Sequence, residues 1–249
     1  MKIERRERIR AILKKKEFIS IRDLQAIFPD VSLMTLHRDL DALEQEGVLV
    51  KVRGGARMAH LTAEPMLDIR SQLNIREKQT IAKKALSLIP EGASVFLDAG
   101  STNLVLAGMI PDVNLNVFTT GPSIALELCH LVNPSINLCG GNINRANLAV
   151  SGQSTLDNLE KINIDIAFIG ASGLANDSGF MCGKESEMLV KRRIIQKARL
   201  SVVLCDSSKF GRLLPYTFAT LQDINVLISD APLPDDLARS AWATGVEIL

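Results

Sequence analysis

The sequence predicts an α/β protein in two parts: a small basic helical domain that ends in a hairpin, and a larger, mostly parallel α/β domain. A capped amphipathic helix followed by a Gly-Gly turn predicts the first part. Short apolar runs that alternate with helical stretches predict the second. Residues 1–58 carry 13 Lys and Arg against 9 Asp and Glu, whereas residues 59–249 carry 16 against 19. We therefore expect domains at residues 1–58 and 75–249, joined by a linker over residues 59–74.

The small domain begins with two helices. Residues 4–16 have the apolar spacing of a helix, and Phe18-Ile19 is expected to be a short apolar link. Ser20, followed three residues later by Asp23, resembles a capping box and opens the second helix. Pro29-Asp30 then predicts a turn into a third helix.

The third helix has one apolar face and one polar face. Ser32 caps its start, and Gly47 is expected to end it. Its apolar residues recur at spacings of four and three: Leu36, Leu40 and Leu43. The opposite face offers hydrogen-bonding side chains to solvent: Thr35, His37 and Arg38.

A basic hairpin follows this helix. Residues 48–53 alternate as a strand does, and Gly54-Gly55 turns the chain between Lys51, Arg53 and Arg57. A polar-faced helix followed by a basic hairpin is typical of a winged helix-turn-helix. Such a helix enters the DNA major groove while the hairpin rests on a phosphate strand. Three short basic helices also occur in proteins that do not bind nucleic acid, so the prediction depends on the combination.

The larger domain alternates helices and strands from residue 75 onward. A helix is expected over residues 77–89. Seven short apolar runs are the expected strands: residues 93–97, 115–119, 136–138, 164–169, 201–204, 226–228 and 246–249. This alternation predicts a largely parallel sheet with helices on both faces.

Polar and small residues follow five of these strands, at the sheet edge where open α/β domains bind ligands. Gly100, Ser101 and Thr102 open a helix whose free N–H groups would attract an anion. Lys209 would neutralise a phosphate, and Asp98 and Asp206 would bind sugar hydroxyls. The remaining candidates at these ends are Thr119, Thr120, Gly140, Gly141, Ser151 and Gly152.

The helix over residues 185–198 allows two interpretations. Its acidic start and basic end suit the helix dipole, as in an ordinary surface helix. Alternatively Glu187 and Lys191, four residues apart on one face, reach the ligand crevice.

Motifs along nearly the entire chain resemble those of DeoR-family bacterial transcription regulators. The amino-terminal motifs are T-L-H-R-D-L at 35–40, L-x-x-E-G at 43–47 and R-G-G-A at 53–56. The later motifs are I-x-x-K-x-x-I-A-x-x-A at 75–85, F-L-D-A-G-S-T at 96–102, G-G at 140–141, S-G at 151–152, D-I-A-F-I-G at 165–170 and D-x-S-K-F-G at 206–211.

The resemblance implies a role for particular residues. In the small domain, those expected to face operator DNA are Ser32, Thr35, His37 and Arg38, with Arg53, Gly54 and Arg57 on the wing. The larger domain resembles the ribose-phosphate-isomerase and glucosamine-phosphate-deaminase fold. Its expected phosphate contacts are Gly100, Ser101, Thr102 and Lys209, with Asp98, Gly140, Gly141, Glu187 and Asp206 near the sugar.

Three residues depart from the family pattern. His37 stands where Arg is more common, and Arg53 stands where His is usual. The first difference changes which bases can be read, because Arg pairs bidentately with guanine and His does not. Thr120 replaces an Asn, which would change the effector that is accepted.

Composition narrows the remaining classes of function. The four cysteines lack metal-ligand or redox spacing and are expected to be reduced core residues, with no bound metal. No dinucleotide or P-loop glycine motif occurs, and we expect no cofactor. No signal peptide or membrane span is expected, so the protein is predicted to be cytoplasmic.

The sequence thus predicts a transcriptional regulator, a repressor of a sugar-metabolism operon controlled by a phosphorylated sugar, acting as a homodimer or homotetramer on double-stranded DNA. Two alternatives remain at this point. One is a sugar-phosphate isomerase or deaminase, with His130 as a base and Asp98, Glu187 and Asp206 as carboxylates. The other is a scaffold whose basic domain binds RNA or protein.

Overall fold

The computed structural model describes residues 2–16, 18–45, 48–52, 54–58 and 66–249. The chain forms two compact units, Met1–Pro65 and Met66–Leu249. Arg53, Gly47 and the first part of the expected linker, residues 59–65, lie outside the described residues. No helix among the described residues is long and apolar enough to span a bilayer.

The first unit is a three-helix domain with a small sheet. Its helices are α1 (Lys2–Lys16), α2 (Ile21–Ile27) and α3 (Leu33–Gln45), and its strands are β1 (Phe18–Ser20), β2 (Leu49–Val52) and β3 (Gly55–Met58). The predicted capping box is present, since the Asp23 amide donates to Ser20 Oγ (3.0 Å) and the Ser20 amide to Asp23 Oδ2 (3.3 Å). Leu36, Leu40 and Leu43 are fully buried, as their spacing predicted.

The expected link at Phe18-Ile19 is a strand. It pairs antiparallel with β3, which makes the sheet order β1-β3-β2. Gly55 permits this pairing, because a Cβ atom there would lie 2.2 Å from the carbonyl oxygen of Ile19. The wing is therefore held to the body of the domain along one strand.

The second unit is a doubly wound α/β domain. Its helices are α4 (Leu67–Gln72), α5 (Ile75–Leu86), α6 (Ser101–Ala107), α7 (Pro122–Leu128), α8 (Gln153–Glu160), α9 (Glu185–Lys197) and α10 (Asp235–Thr244). Its strands are β4 (Ser94–Leu97), β5 (Asn116–Thr119), β6 (Ser135–Leu138), β7 (Asn142–Ile143), β8 (Val150–Ser151), β9 (Ile164–Gly170), β10 (Gly173–Ala175), β11 (Gly179–Cys182), β12 (Ala198–Leu204), β13 (Tyr216–Ala219), β14 (Val226–Ile228) and β15 (Glu247–Ile248).

Seven of these strands form one parallel sheet in the order β15-β14-β12-β9-β4-β5-β6. They are the seven strands that the sequence predicted, and the fold class is confirmed. Alternate residues of the sheet supply two separate cores. Helices α5, α6 and α7 pack on one face, and α8, α9 and α10 pack on the other.

The strand order reverses between β4 and β9. From β4 the chain proceeds outward to β6, then returns to β9 and proceeds to the opposite edge. Where the order reverses, the connections after the two central strands leave on opposite faces of the sheet and open a crevice. A candidate site is therefore expected beyond the carboxyl ends of β4 and β9.

Smaller antiparallel elements surround the main sheet. Strands β7 and β8 form a hairpin, and β10, β11 and β13 form a three-stranded sheet. Helix α4 belongs to the second unit, although the sequence assigned its residues to the linker. The Leu67 side chain is buried, and its amide donates to the Ala146 carbonyl (3.0 Å).

Three of the four cysteines are buried, but Cys129 is exposed. The expectation that all four are core residues is wrong for this one, because it follows the short helix α7 at the surface. Burial raises the pKa of Cys139 to about 11 and that of Cys182 to about 12.

Candidate functional site

Helix α3 presents a polar and cationic surface on the side opposite its buried leucines. Ser32 and Arg38 are exposed, and Thr35 and His37 are partly exposed. The Thr35 amide donates to Ser32 Oγ (3.3 Å), and the two hydroxyl oxygens lie 3.0 Å apart. Ser32 therefore caps the helix as expected, and Arg38 points away from the core.

Asp39 fixes the orientation of α3 within the first unit. It is 1% exposed and accepts bonds from Arg6 Nε at 3.0 Å and from Arg5 Nε. Both arginines belong to α1. These two ion pairs join the buried side of α3 to α1.

On the wing, Gly54 and Arg57 are exposed. The turn requires glycine at position 54, where φ is +88°. Met34, which the sequence analysis did not select, is 65% exposed beside Ser32 and Thr35. Met34 therefore adds an exposed apolar side chain to the polar surface of α3.

In the second unit, a pocket lies where the strand order reverses. The side chains and backbone of eight residues line it: Asp98, Ala99, Thr120, Ala149, Val150, Glu187, Val190 and Lys191. Asp98 follows β4, Thr120 follows β5, and Glu187 and Lys191 lie on α9. Both α9 side chains are buried, at 9% and 5% exposure. They line the pocket rather than the protein surface.

An ion pair between Lys191 and Asp98 occupies the floor of this pocket. Lys191 Nζ also donates to the Gly170 carbonyl (2.8 Å), and the Gly170 amide donates to Asp98 Oδ2 (3.1 Å). Burial disfavours the charge on Lys191, but the nearby Asp98 and Glu187 carboxylates offset this and raise its pKa. Lys191 thus contacts the ends of both β4 and β9, which also bond each other directly.

Glu187 is held by two asparagines of the β7–β8 hairpin. Its Oε1 accepts from Asn147 Nδ2 (2.6 Å) and Asn144 Nδ2 (3.1 Å). Thr120 supports the opposite wall, where its carbonyl accepts from the Val150 amide (2.8 Å).

A second polar cluster follows the neighbouring strand β12. Asp206 is 3% exposed and accepts from Asn74 Nδ2 (3.3 Å) and the Ser208 amide (3.2 Å). Lys209 Nζ lies 4.0 Å from Asp206 Oδ2 and is partly open to solvent. Lys78, from α5, faces the same group and bonds the carbonyls of Arg70 and Leu73. We call Asn74, Lys78, Asp206, Ser208 and Lys209 the lysine cluster.

Lys78 is 4% exposed. Burial lowers its pKa to about 8, although Asp206 acts in the opposite direction. Lys78 is not among the site residues that the sequence predicted. One signal could have found it, because it lies three, four and seven residues before Ile81, Ala82 and Ala85 in the buried stripe of α5.

The structure places the other candidate residues around these two groups. Ser101 is buried and Thr102 partly buried at the start of α6, just after Gly100. Thr119 is fully buried, and its hydroxyl donates to the Leu97 carbonyl (2.6 Å) and accepts from the Gly121 amide (2.9 Å). Thr119 therefore shapes the strand end without facing the pocket.

The remaining glycines and serine lie at the base of the β7–β8 hairpin. The Gly140 carbonyl accepts from Thr155 Oγ1 (2.7 Å). Gly141 cannot carry a side chain, since φ is +146° and a Cβ atom would lie 2.2 Å from Thr155 Oγ1. Ser151 ends the hairpin, and Gly152 opens α8. These four residues border the pocket without lining it.

His130 does not lie with the carboxylates. It is exposed beyond the carboxyl end of α7, and its Nδ1 lies 2.6 Å from the Glu127 carbonyl oxygen. Because α7 begins at the carboxyl edge of the sheet, its far end is removed from the pocket. His130 is therefore not placed to act as a base beside the pocket carboxylates.

A winged helix-turn-helix, followed in the chain by a doubly wound domain with a charged pocket, is the architecture of a DNA-binding regulator with a sensor domain. Residues 73–231 match the family model of the DeoR C terminal sensor domain. Residues 5–62 match the family model of the DeoR-like helix-turn-helix domain. The chain belongs to the DeoR family of HTH-type transcriptional regulators, and its relatives are named regulators and repressors rather than enzymes.

Relatives of known sequence resemble the chain over nearly its full length. An uncharacterized HTH-type transcriptional regulator of Haemophilus influenzae is 35% identical, over 98% of this chain and 96% of that protein. The glycerol-3-phosphate regulon repressor of Escherichia coli is 28% identical, over 93% of this chain and 92% of that protein. Among solved structures, ribose 5-phosphate isomerase A of Methanocaldococcus jannaschii is 18% identical over 56% of each chain, with a TM-score of 0.41.

Proposed function

We propose that this protein represses a sugar-metabolism operon and releases its operator when a phosphorylated sugar binds at the strand ends of the second unit. The observation that carries the proposal is the pairing of two unlike groups at one sheet edge. One is the pocket with Asp98, Glu187 and Lys191, and the other is the lysine cluster beside it. A sugar phosphate has the same division into a hydroxyl-rich part and an anionic part.

The charges of the two groups indicate where each part of a sugar phosphate would bind: the sugar in the pocket and the phosphate at the lysine cluster. Asp98 and Glu187 accept hydrogen bonds from hydroxyls, and Thr120 offers a further hydroxyl. The same two carboxylates repel a phosphate, so the phosphate goes to Lys78 and Lys209. Ser101 and Thr102 at the start of α6 supply amides and hydroxyls for it. The remaining candidates, Gly140, Gly141, Ser151 and Gly152, shape the wall next to the sugar.

The role of the first unit is to read the operator. Arg38 and His37 of α3 would contact base edges, with Ser32 and Thr35 nearby. Arg57 and Gly54 of the wing, with Arg53 of the undescribed part, would contact phosphates. Reading two half-sites requires two copies of the chain, so we propose a homodimer or homotetramer acting on double-stranded DNA in the cytoplasm.

A relative supports the phosphorylated ligand, since the Escherichia coli protein is named a glycerol-3-phosphate regulon repressor. The pocket has a volume of only ≈ 10 Å³, which is room for about one water molecule. A sugar therefore enters only if side chains of the pocket rearrange, and this coupling is what a sensor needs.

Thermal unfolding against a panel of sugar phosphates and their parent sugars tests the proposal. A sugar phosphate present at 100 times its Kd stabilises the protein by about 2.7 kcal/mol, and the parent sugar does so far less. The variant Lys209→Ala should lose most of this stabilisation because the phosphate loses its most accessible cation. Lys83→Ala, which removes an exposed lysine of α5, should retain it.

Two results would contradict the proposal. One is a panel in which no phosphorylated compound raises the unfolding temperature. The other is a Lys209→Ala variant that responds as the wild type does. An operator complex that survives saturation with the stabilising compound would separately overturn the release mechanism.

A further inference from the structure

The β7–β8 hairpin touches both the pocket and the first helix of the second unit. Residues 144–149 connect its two strands, and we call them the hairpin loop. Two backbone hydrogen bonds close the hairpin loop. The Asn144 backbone N–H donates to the Ala149 carbonyl (2.9 Å), and the Leu148 backbone N–H donates to the Asn144 backbone carbonyl (2.8 Å). The hairpin loop is therefore a compact element.

The two asparagines of the hairpin loop use both ends of their amide groups. Asn144 Oδ1 accepts from the Ala146 amide (3.1 Å), and Asn147 Oδ1 accepts from the Ala149 amide (3.1 Å). Their NH₂ groups both donate to Glu187 Oε1. The shape of the hairpin loop thus depends on one carboxylate that also lines the pocket.

The other side of the hairpin loop holds the start of α4. The Ala146 carbonyl accepts from the Leu67 amide (3.0 Å). The residue before Leu67, Met66, provides no side-chain cap. The first amides of a helix lack partners within it, so the Ala146 carbonyl supplies a bond that the helix itself cannot make.

Helix α4 is the first element after the segment that joins the two units in sequence, since the first unit ends at Pro65. Its other end is also held, because Lys78 bonds the carbonyls of Arg70 and Leu73. A change at Glu187 therefore reaches α4 through the hairpin loop, and a change at Lys78 reaches α4 directly.

The hairpin loop also carries a strained residue. Leu148 has φ at +53°, in the left-handed region that side chains other than Gly, Asn and Asp rarely adopt. Such a conformation persists only where surrounding contacts enforce it. Releasing the two asparagines would remove two of those contacts and favour a different shape of the hairpin loop.

We propose that the hairpin loop transmits the state of the pocket to α4, and through α4 to the DNA-binding unit. A ligand hydroxyl that bonds Glu187 competes with Asn144 and Asn147, the hairpin loop relaxes, and the Ala146 carbonyl leaves Leu67. In this scheme the arrangement in which Asn144 and Asn147 bond Glu187 is the DNA-binding state, and loss of these bonds weakens DNA binding. This inference rests on the proposed repressor function, but its test needs no ligand.

The test compares the full-length wild type with Asn144→Ala, Asn147→Ala and a control, Arg145→Ala. Arg145 is an exposed residue of the same hairpin loop. Hydrogen exchange is measured over residues 66–73 without ligand. We expect exchange at least fivefold faster in both asparagine variants and within twofold of wild type in the control. Two independent asparagine variants keep the test open if one of them fails to fold.

The second readout is affinity for a DNA duplex selected from a random library with the wild-type chain. Each asparagine variant should bind this duplex at least fivefold more weakly than the wild type, and Arg145→Ala should bind normally. Unchanged exchange over residues 66–73, unchanged affinity, or an equal loss in the control overturns the inference. Failure to select any duplex contradicts the proposed function instead. In that case the hydrogen-exchange data alone test whether the hairpin loop holds α4.

Discussion

Replacing Lys191 with Met tests whether the buried ion pair holds the two central strand ends together. Both side chains of the pair are 6% exposed. Lys191→Met preserves most of the side-chain volume but leaves Asp98 buried without its cation. Breaking a buried pair by removing one partner costs about 3–5 kcal/mol, because a charge remains uncompensated. The bond from Nζ to the Gly170 carbonyl and the contact with the Phe218 ring, 5.3 Å from Nζ, are lost as well.

The assay is native-state hydrogen exchange of β9 in the full-length chain, since central strands exchange only when the whole unit opens. We expect the opening free energy of β9 to fall by about 3–5 kcal/mol in Lys191→Met. The double variant Asp98→Asn with Lys191→Met should recover at least about 2 kcal/mol, because neither partner is then charged. A loss below about 1 kcal/mol, or a double variant less stable than the single one, would refute the reasoning.

Two further predictions concern charged groups outside the pocket. Arg38→Ala should weaken binding of the selected duplex by about 1–3 kcal/mol in fluorescence anisotropy, while random DNA is bound nearly as before. An equal loss on both would make Arg38 a phosphate contact. For Lys78, the lowered pKa means that the unfolded chain holds the proton more tightly. Wild-type stability relative to Lys78→Met, measured in urea, should therefore rise by about 2 kcal/mol from pH 7.5 to 9.5, and a flat or falling difference would contradict this.

The sequence was sufficient to predict the fold because the main strands contain short apolar runs that alternate with helical stretches. Residues 166–169 and 202–204 have no polar interruption, and both runs lie in central strands. The elements that it missed are short and paired to distant partners. Strand β1 has only three residues, and its pairing with β3 depends on a glycine nearly 40 positions later.

The candidate site was predicted less completely, for a physical reason. Asp98, Thr120 and the start of α6 follow strands directly, so topology alone brings them to one edge. Asn144 and Asn147 occupy a loop with no periodicity, and nothing in their spacing indicates that both reach Glu187. Lys78 lies in a helix that otherwise buries apolar residues, where composition suggested only packing.

The position of α9 explains why one end of the site is carboxylate-rich and the other cationic. Helix α9 follows β11 and places Glu187 and Lys191 above the ends of β4 and β9. Asp98 neutralises Lys191, so Glu187 remains as the acceptor that the hairpin loop and an incoming hydroxyl would share. On the far side of β9, Lys78 and Lys209 outnumber the single carboxylate of Asp206 within the lysine cluster. In the proposed function, the phosphate of a sugar phosphate would therefore be directed away from α9, and the sugar hydroxyls would compete for Glu187.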